Sequence, residues 1–203
     1  MRRVAVYVMA AAMTLAMAVD GHAQSAGAKK MAAADEKFMK AAAQGGKAEV
    51  ELGRLATEHG SSDAVKQFGN RMVTDHGKAN DELAQLAQQK GVTLPSDLDA
   101  SHRRMIDRFS KLSGDEFDRA YIREMVKDHD KDVKEFQREA QRAKDSDLKS
   151  WAGKTLPTVQ EHQQQIRQIS ASAGKASGGR ASRGSSSGGS ASRVTSPSGS
   201  NKY

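Results

Sequence analysis

Between about residue 35 and residue 170 the apolar side chains recur at every third or fourth position, and alternation of period two is scarce. That spacing belongs to helices that bury one face, so the whole stretch reads as helical. A first helix is predicted over about 35–59, stopped by Gly60, and a second runs from a Ser61 or Ser62 cap to Lys90, closed by Gly91. Leu94-Pro95-Ser96 then opens a short amphipathic helix over about 97–112, with Leu98, Met105, Ile106 and Phe109 on one side. Ser113, with Glu116 three residues on, reads as a capping box for a third long helix to about Ala143. Asp145 or Ser146 starts the fourth, which should bend near Pro157, where an amide hydrogen is missing.

The two short turns imply two antiparallel hairpins, and the long connection between them implies a crossover. A long helix of this kind spans ~43 Å, and the short helix of ~24 Å with extended flanks can travel most of that length. Such a crossover makes the second and third long helices parallel. The expected fold is therefore all-α: a ferritin-like four-helix bundle with a short helix in the long crossover between the second and third long helices. A stretch of this length is enough for one core and too short for two.

The inward stripes are not purely apolar. Phe68, Met72, Ala79, Leu83 and Ala87 define one face of the second helix, His76 falls within it, and Asp75 lies at its edge. The third long helix repeats the pattern at a constant offset: Met72-Val73-Thr74-Asp75-His76-Gly77-Lys78 matches Met125-Val126-Lys127-Asp128-His129-Asp130-Lys131 at five of seven positions. In the first helix Phe38, Ala42, Leu52 and Ala56 mark the buried direction and Glu49 points within ~20° of it, whereas Glu51 points away. In the last, Leu148, Ala152, Leu156, Val159 and Ile166 carry His162 beside them. Helix rise puts these polar groups near mid-bundle, within about a turn of one another.

Three imidazoles and a carboxylate at one level could hold a metal ion at Glu49, His76, His129 and His162. Asp75 and Asp128 would serve as further ligands or as acceptors fixing the imidazole tautomers. Zinc, iron and manganese suit that set, and Met72 and Met125, one turn before His76 and His129, keep copper open through their soft thioethers. A buried polar network would need the same composition, with Glu49 paired to a protonated histidine or to Lys78 and Lys131, because buried charge must be compensated. His102 reads as a packed or hydrogen-bonded histidine, and His59 as a helix-end residue favoured by the dipole.

Several segments together resemble the exported bacterial family called domain of unknown function 4142, whose members often carry an outer-membrane label. They are Ala48-Glu49-Val50-Glu51-Leu52-Gly53, the two Asp-His segments, Gly91-Val92-Thr93-Leu94-Pro95 with His102, Phe117-Asp118-Arg119-Ala120-Tyr121, and Lys154-Thr155-Leu156-Pro157 with His162. The resemblance implies a ferritin-like fold and an export signal, and it brings no reaction with it. Di-iron bundles use Glu-x-x-His pairs, but the residues three before His76, His129 and His162 are Val73, Val126 and Val159. A ferroxidase centre is accordingly not expected.

The two ends change the picture of where the chain works. Arg2-Arg3, an apolar run over about 4–19 and the small-residue site ending at Ala23 read as a secretory signal over 1–23, too short for a membrane span. A disordered linker over 24–34, the bundle over 35–172 and a disordered basic Ser/Gly-rich tail over 173–203 complete the expected layout. The chain has no cysteine, which excludes disulfides and thiolate sites. The formal charge of +7 is concentrated at the ends, in Arg2, Arg3 and the five basic tail residues, so the folded part is near neutral. No specific nucleic-acid partner is expected, while the tail could meet an anionic envelope surface. With no nucleophile beside a base and no phosphate loop, three classes remain open. They are a non-catalytic envelope or stress protein of the periplasm, a metal binder or metal-handling enzyme, and an envelope-surface interaction protein.

Overall fold

The computed structural model describes the backbone of residues 30–183 and the side chains to residue 175; the expected signal segment and most of the linker, and the tail beyond 183, lie outside the described residues. Five helices follow one another: α1 Ala33–His59, α2 Asp63–Gln89, α3 Ala100–Phe109, α4 Gly114–Arg142 and α5 Ser146–Arg183. The four long helices form an all-α bundle, and none of the described helices is long and apolar enough to cross a membrane.

α1 packs most extensively on α2, and α4 on α5. The hairpins then join through α2 against α5 and α1 against α4, which leaves α2 and α4 on one diagonal. Both diagonal helices start at the same end: Gly60 and Gly114 form an isolated parallel bridge there, and Asp118 of α4 accepts from the amides of Ser61 and Ser62. The opposite end is fixed by Asp35 of α1, which accepts from the amides of Lys144 and Asp145, and by Lys90, paired with Asp145 at 2.7 Å. The second and third long helices are therefore parallel, as a full-length crossover requires. Each hairpin turn has its exposed amides bonded by a carboxylate of the other hairpin, so the helix-end donors left without intrahelical partners also lock the two halves together.

Local chemistry explains most of the boundaries. Ser62 caps α2 through Val65 N–H, Asp145 caps α5 through Leu148 N–H, and Gly91 takes φ +66° so that Val92 N–H can reach back to Ala87. Three expectations are corrected. The short helix starts at Ala100 rather than about 97, because Asp99 caps it through the amides of Ser101 and His102. The capping box at Ser113 does not form: its side chain makes no cap hydrogen bond, and the following Gly114 turns the chain with φ +61°. α5 continues past residue 172 to Arg183, although Gly174, Gly178 and Gly179 lower the helix propensity of that stretch. The same helix runs through Pro157 without a break.

The core is two apolar clusters. One gathers Leu52, Phe68, Met72, Phe117, Tyr121, Met125 and Ile166; the other gathers Phe38, Met39, Leu83, Leu148 and Trp151. Between them in sequence, on each long helix, falls a buried polar residue: Glu49, His76, His129 and His162.

Candidate metal centre

Glycines bring α1 against α2 at the level of this polar layer. A Cβ at Gly53 would lie 2.6 Å from the Gly69 carbonyl oxygen, one at Gly69 would lie 2.6 Å from the Gly53 oxygen, and one at Gly46 would run into Asn80 Oδ1. Glu49 sits between Gly46 and Gly53, facing His76 between Gly69 and Asn80, and the close approach sets their side chains 2.9 Å apart, Nδ1 to Oε2. Glu49 is 5 % exposed, His76 8 %, and His129 and His162 are wholly buried. The ring centroids of the three histidines are 5.3–5.9 Å apart, and one nitrogen from each lies within 4.8 Å of the other two.

Each ring has one nitrogen engaged. His76 Nδ1 meets Glu49, His129 Nδ1 meets the Met125 carbonyl at 2.9 Å, and His162 Nε2 meets Asp75 Oδ2 at 2.8 Å. All three partners are acceptors, so the engaged nitrogens carry the hydrogens and the neutral rings present lone pairs at the others. Those other nitrogens, His76 Nε2, His129 Nε2 and His162 Nδ1, are buried without a hydrogen-bond partner, and so is Glu49 Oε1. Glu49 Oε1 stands 3.8 Å from His129 Nε2, too far for a hydrogen bond.

The charges follow from burial and from these contacts. Burial opposes ionisation of Glu49, but His76, by charge and hydrogen bond, and the other two histidines outweigh it and hold the carboxyl well below its usual range. Burial likewise works against a proton on His76, and Glu49 reverses that and raises it. His129 is lowered by burial, and His162 is pushed down to about 4, again by burial, against the pull of Asp75. The contact thus favours an ionised Glu49 beside His76, while burial holds His129 and His162 toward the neutral form, in which their free nitrogens are acceptors. Asp75 is kept low, despite some burial, by His162 and by Arg71, which bonds it at 3.1 Å and also reaches Glu161 and Gln165.

A pH dependence of the metal-free protein follows. Because His162 titrates lower in the folded chain than in the unfolded one, the unfolded chain takes up the proton first, and stability falls as pH drops from about 6.5 toward 4. His76 works oppositely: its contribution is complete below about 6.5 and is lost as pH rises through its raised value. Urea unfolding at pH 7, 6 and 5 should show a His162→Leu variant losing less stability than the parent over this range, by up to ~1.4 kcal/mol per pH unit.

Of the six residues singled out from sequence, the structure brings Glu49, His76, His129 and His162 together and sets Asp75 behind His162. Asp128 is the exception. It is half-buried, its ion-pair contact is Lys127 at 3.9 Å, and burial, then Glu124 and Glu49, push its pKa up to about 6. His129 instead takes a backbone carbonyl in the role expected of Asp128. Met72 and Met125 pack in the apolar cluster with Phe68 and Tyr121. Lys78 and Lys131 turn to Glu82 and Glu135, not to Glu49. His102 bonds Asp99 and His59 the Leu112 carbonyl.

Sequence reasoning passed over Asp132. It lies on α4 facing two cavities that Glu49 also lines, and burial followed by the Glu49 charge raises its pKa. The signal was present: by the internal repeat Asp132 corresponds to Ala79, a member of the inward stripe of α2.

Residues 20–169 match the family described as Domain of unknown function (DUF4142). The chain belongs to that family. Among solved structures, the "DUF305 fragment from Deinococcus radiodurans" is similar to this DUF4142 protein with a TM-score of 0.60 at 13 % sequence identity, covering 70 % of this chain and 97 % of that one. At that identity the likeness speaks for the helical fold alone. No curated protein matches the sequence.

Proposed function

We propose that this DUF4142 protein binds one divalent first-row transition cation, with Zn(II) the best fit, through Glu49, His76, His129 and His162, and that it does so as an exported protein of the periplasm or cell envelope. The observation that carries the reading is the trio of buried imidazoles, one nitrogen of each within 4.8 Å of the other two, with the unpaired Oε1 of Glu49 beside them, 3.8 Å from His129 Nε2. Buried polar atoms are paired in the great majority of cases, and each exception calls for a reason. One water has two hydrogens, fewer than the buried lone pairs of His129 Nε2, His162 Nδ1 and Glu49 Oε1, whereas a cation can serve them together with His76 once that ring gives up its proton. The backing of His129 by a carbonyl and of His162 by a carboxylate is the arrangement that orients metal-binding imidazoles, while Glu49, now on His76 Nδ1, would turn from that ring to join the ion.

Nitrogen and oxygen donors in this ratio suit zinc, which has no directional demand from its d electrons. In a tetrahedral site with ligand bonds of ~2.0–2.1 Å the donor atoms stand ~3.3 Å apart, so loading draws the rings inward by roughly an ångström. Four protein donors leave no position for a substrate, which favours binding and carriage of the ion over turnover. The N-terminal charge and apolar pattern supports export, and a site free of thiolates is indifferent to an oxidising compartment.

The competing reading is a polar network closed by the Glu49–His76 ion pair, which their 2.9 Å contact favours. It leaves His129 Nε2 and His162 Nδ1 without donors. The full chain, prepared without an affinity tag, is to be titrated with Zn(II) by calorimetry and its metal content measured by mass spectrometry. One equivalent bound, with a zinc-dependent rise in melting temperature, is the expected result. Absence of uptake with an unchanged melting temperature would leave the network as the account of the layer.

A further inference from the structure

A buried ion needs a way in, and the packing of the helices leaves a seam. α1 touches α4 much less than it touches α2, and α3 crosses on that side, packing on both. Two cavities, about 400 and 220 Å³, lie along the seam and share Gly45, Glu49, His102, Lys131 and Asp132 in their walls. Glu49 lines both spaces and its Oε2 contacts His76, which itself opens onto the larger of the two.

The walls carry more carboxylates than cations, but most of these are engaged. Glu135 faces Lys131 at 3.6 Å, Glu124 bonds Arg108 and Lys127, and Asp99 caps α3. Asp132 differs: among the described residues it makes no hydrogen bond or ion pair, although it lines both cavities beside Glu49. Gly45, which lines the same two cavities, has nothing within 4 Å of where a Cβ would stand. The nearly buried Glu49, with its unpaired Oε1, forms the inner end of the seam.

We propose that hydrated divalent cations enter through the α1/α4 seam, and that Asp132 is a transit carboxylate which takes the ion from the cavity and passes it to Glu49. This rests on the metal reading above and adds the route. Burial and the Glu49 charge push the Asp132 pKa up to about 8, so its carboxyl gives a proton to solvent as it takes the cation. Standing on the path it lowers the barrier in both directions, setting rates and leaving the equilibrium nearly alone.

The test is stopped-flow uptake and release of Zn(II), read with a chromophoric chelator, on the full chain and three variants. Asp132→Asn is expected to slow both uptake and release by roughly tenfold while the equilibrium affinity stays within about threefold. Gly45→Leu, which narrows the seam without touching a donor, is expected to do the same by steric means, and it stands in if Asp132→Asn folds poorly. Asp107→Asn, on the exposed side of α3 and paired with Lys111, is expected to leave both rates unchanged. Parental rates in Asp132→Asn and Gly45→Leu would overturn the route. An affinity loss in Asp132→Asn with unslowed release would overturn the transit role, since Asp132 would then be a ligand. If the parent takes up no zinc, the metal reading fails before any variant is compared, and the route fails with it.

Discussion

A His129→Leu, His162→Leu double variant should lose zinc binding and at the same time gain metal-free stability. Each histidine supplies one of the unpaired buried nitrogens, and removing a donor that touches the ion costs more than the ~10–100-fold typical of the groups behind the donors. The double variant should therefore fall well beyond ~100-fold in zinc affinity by calorimetry. Stability should move the other way, because an unpaired buried polar group costs about 1–3 kcal/mol and leucine restores much of the volume without it. Arg71 remains to bond Asp75 after His162 is gone. A network built for stability gives the opposite sign: the same variant would unfold at lower denaturant.

Gly69→Ala should have the largest structural effect. Its Cβ would meet the Gly53 oxygen at 2.6 Å and the Ala56 Cβ at 2.7 Å, contacts between helices that no side-chain rotation can relieve. α1 and α2 would have to separate, costing about 1–3 kcal/mol as overpacking does, and the Glu49–His76 contact would lengthen with them. The expected measurement is a lower urea midpoint together with weaker zinc binding. Gly77→Ala is the internal comparison: nothing lies within 4 Å of its added methyl, so the same change in mid-helix should stabilise by about 0.5–1 kcal/mol. Equal behaviour of the two variants would mean that close packing of α1 on α2 does not position the site.

The outline of this bundle is legible in the sequence because its signals are local. Gly91, Ser62 and Asp145 mark helix ends by chemistry that acts within one turn, and the inward stripes fix which way Glu49, His76, His129 and His162 face. What the sequence does not reveal depends on contacts between distant residues. Asp118 serves the turn after α1 from more than fifty positions away, and nothing in its neighbourhood says so. Ser113 and Glu116 have the spacing of a capping box, yet the φ of +61° at Gly114 sets the chain differently. The internal repeat suggested equal roles for Asp75 and Asp128. Asp75 backs the imidazole of α5, whereas on α4 the Met125 carbonyl already holds His129 and leaves Asp128 aside. Helix periodicity gives direction but not partner, so the sequence alone does not separate Asp132, inward by the repeat, from an ordinary stripe position; the cavities it lines with Glu49 do.

The most direct test of the zinc centre is X-ray absorption at the zinc K-edge on the loaded protein. Three imidazole nitrogens and one carboxylate oxygen at about 2.0–2.1 Å are expected, with the imidazole multiple-scattering signal falling by one ring in His129→Leu. A shell of oxygens alone, or a spectrum unchanged by that substitution, would contradict the assignment of the ion to the centre of the bundle.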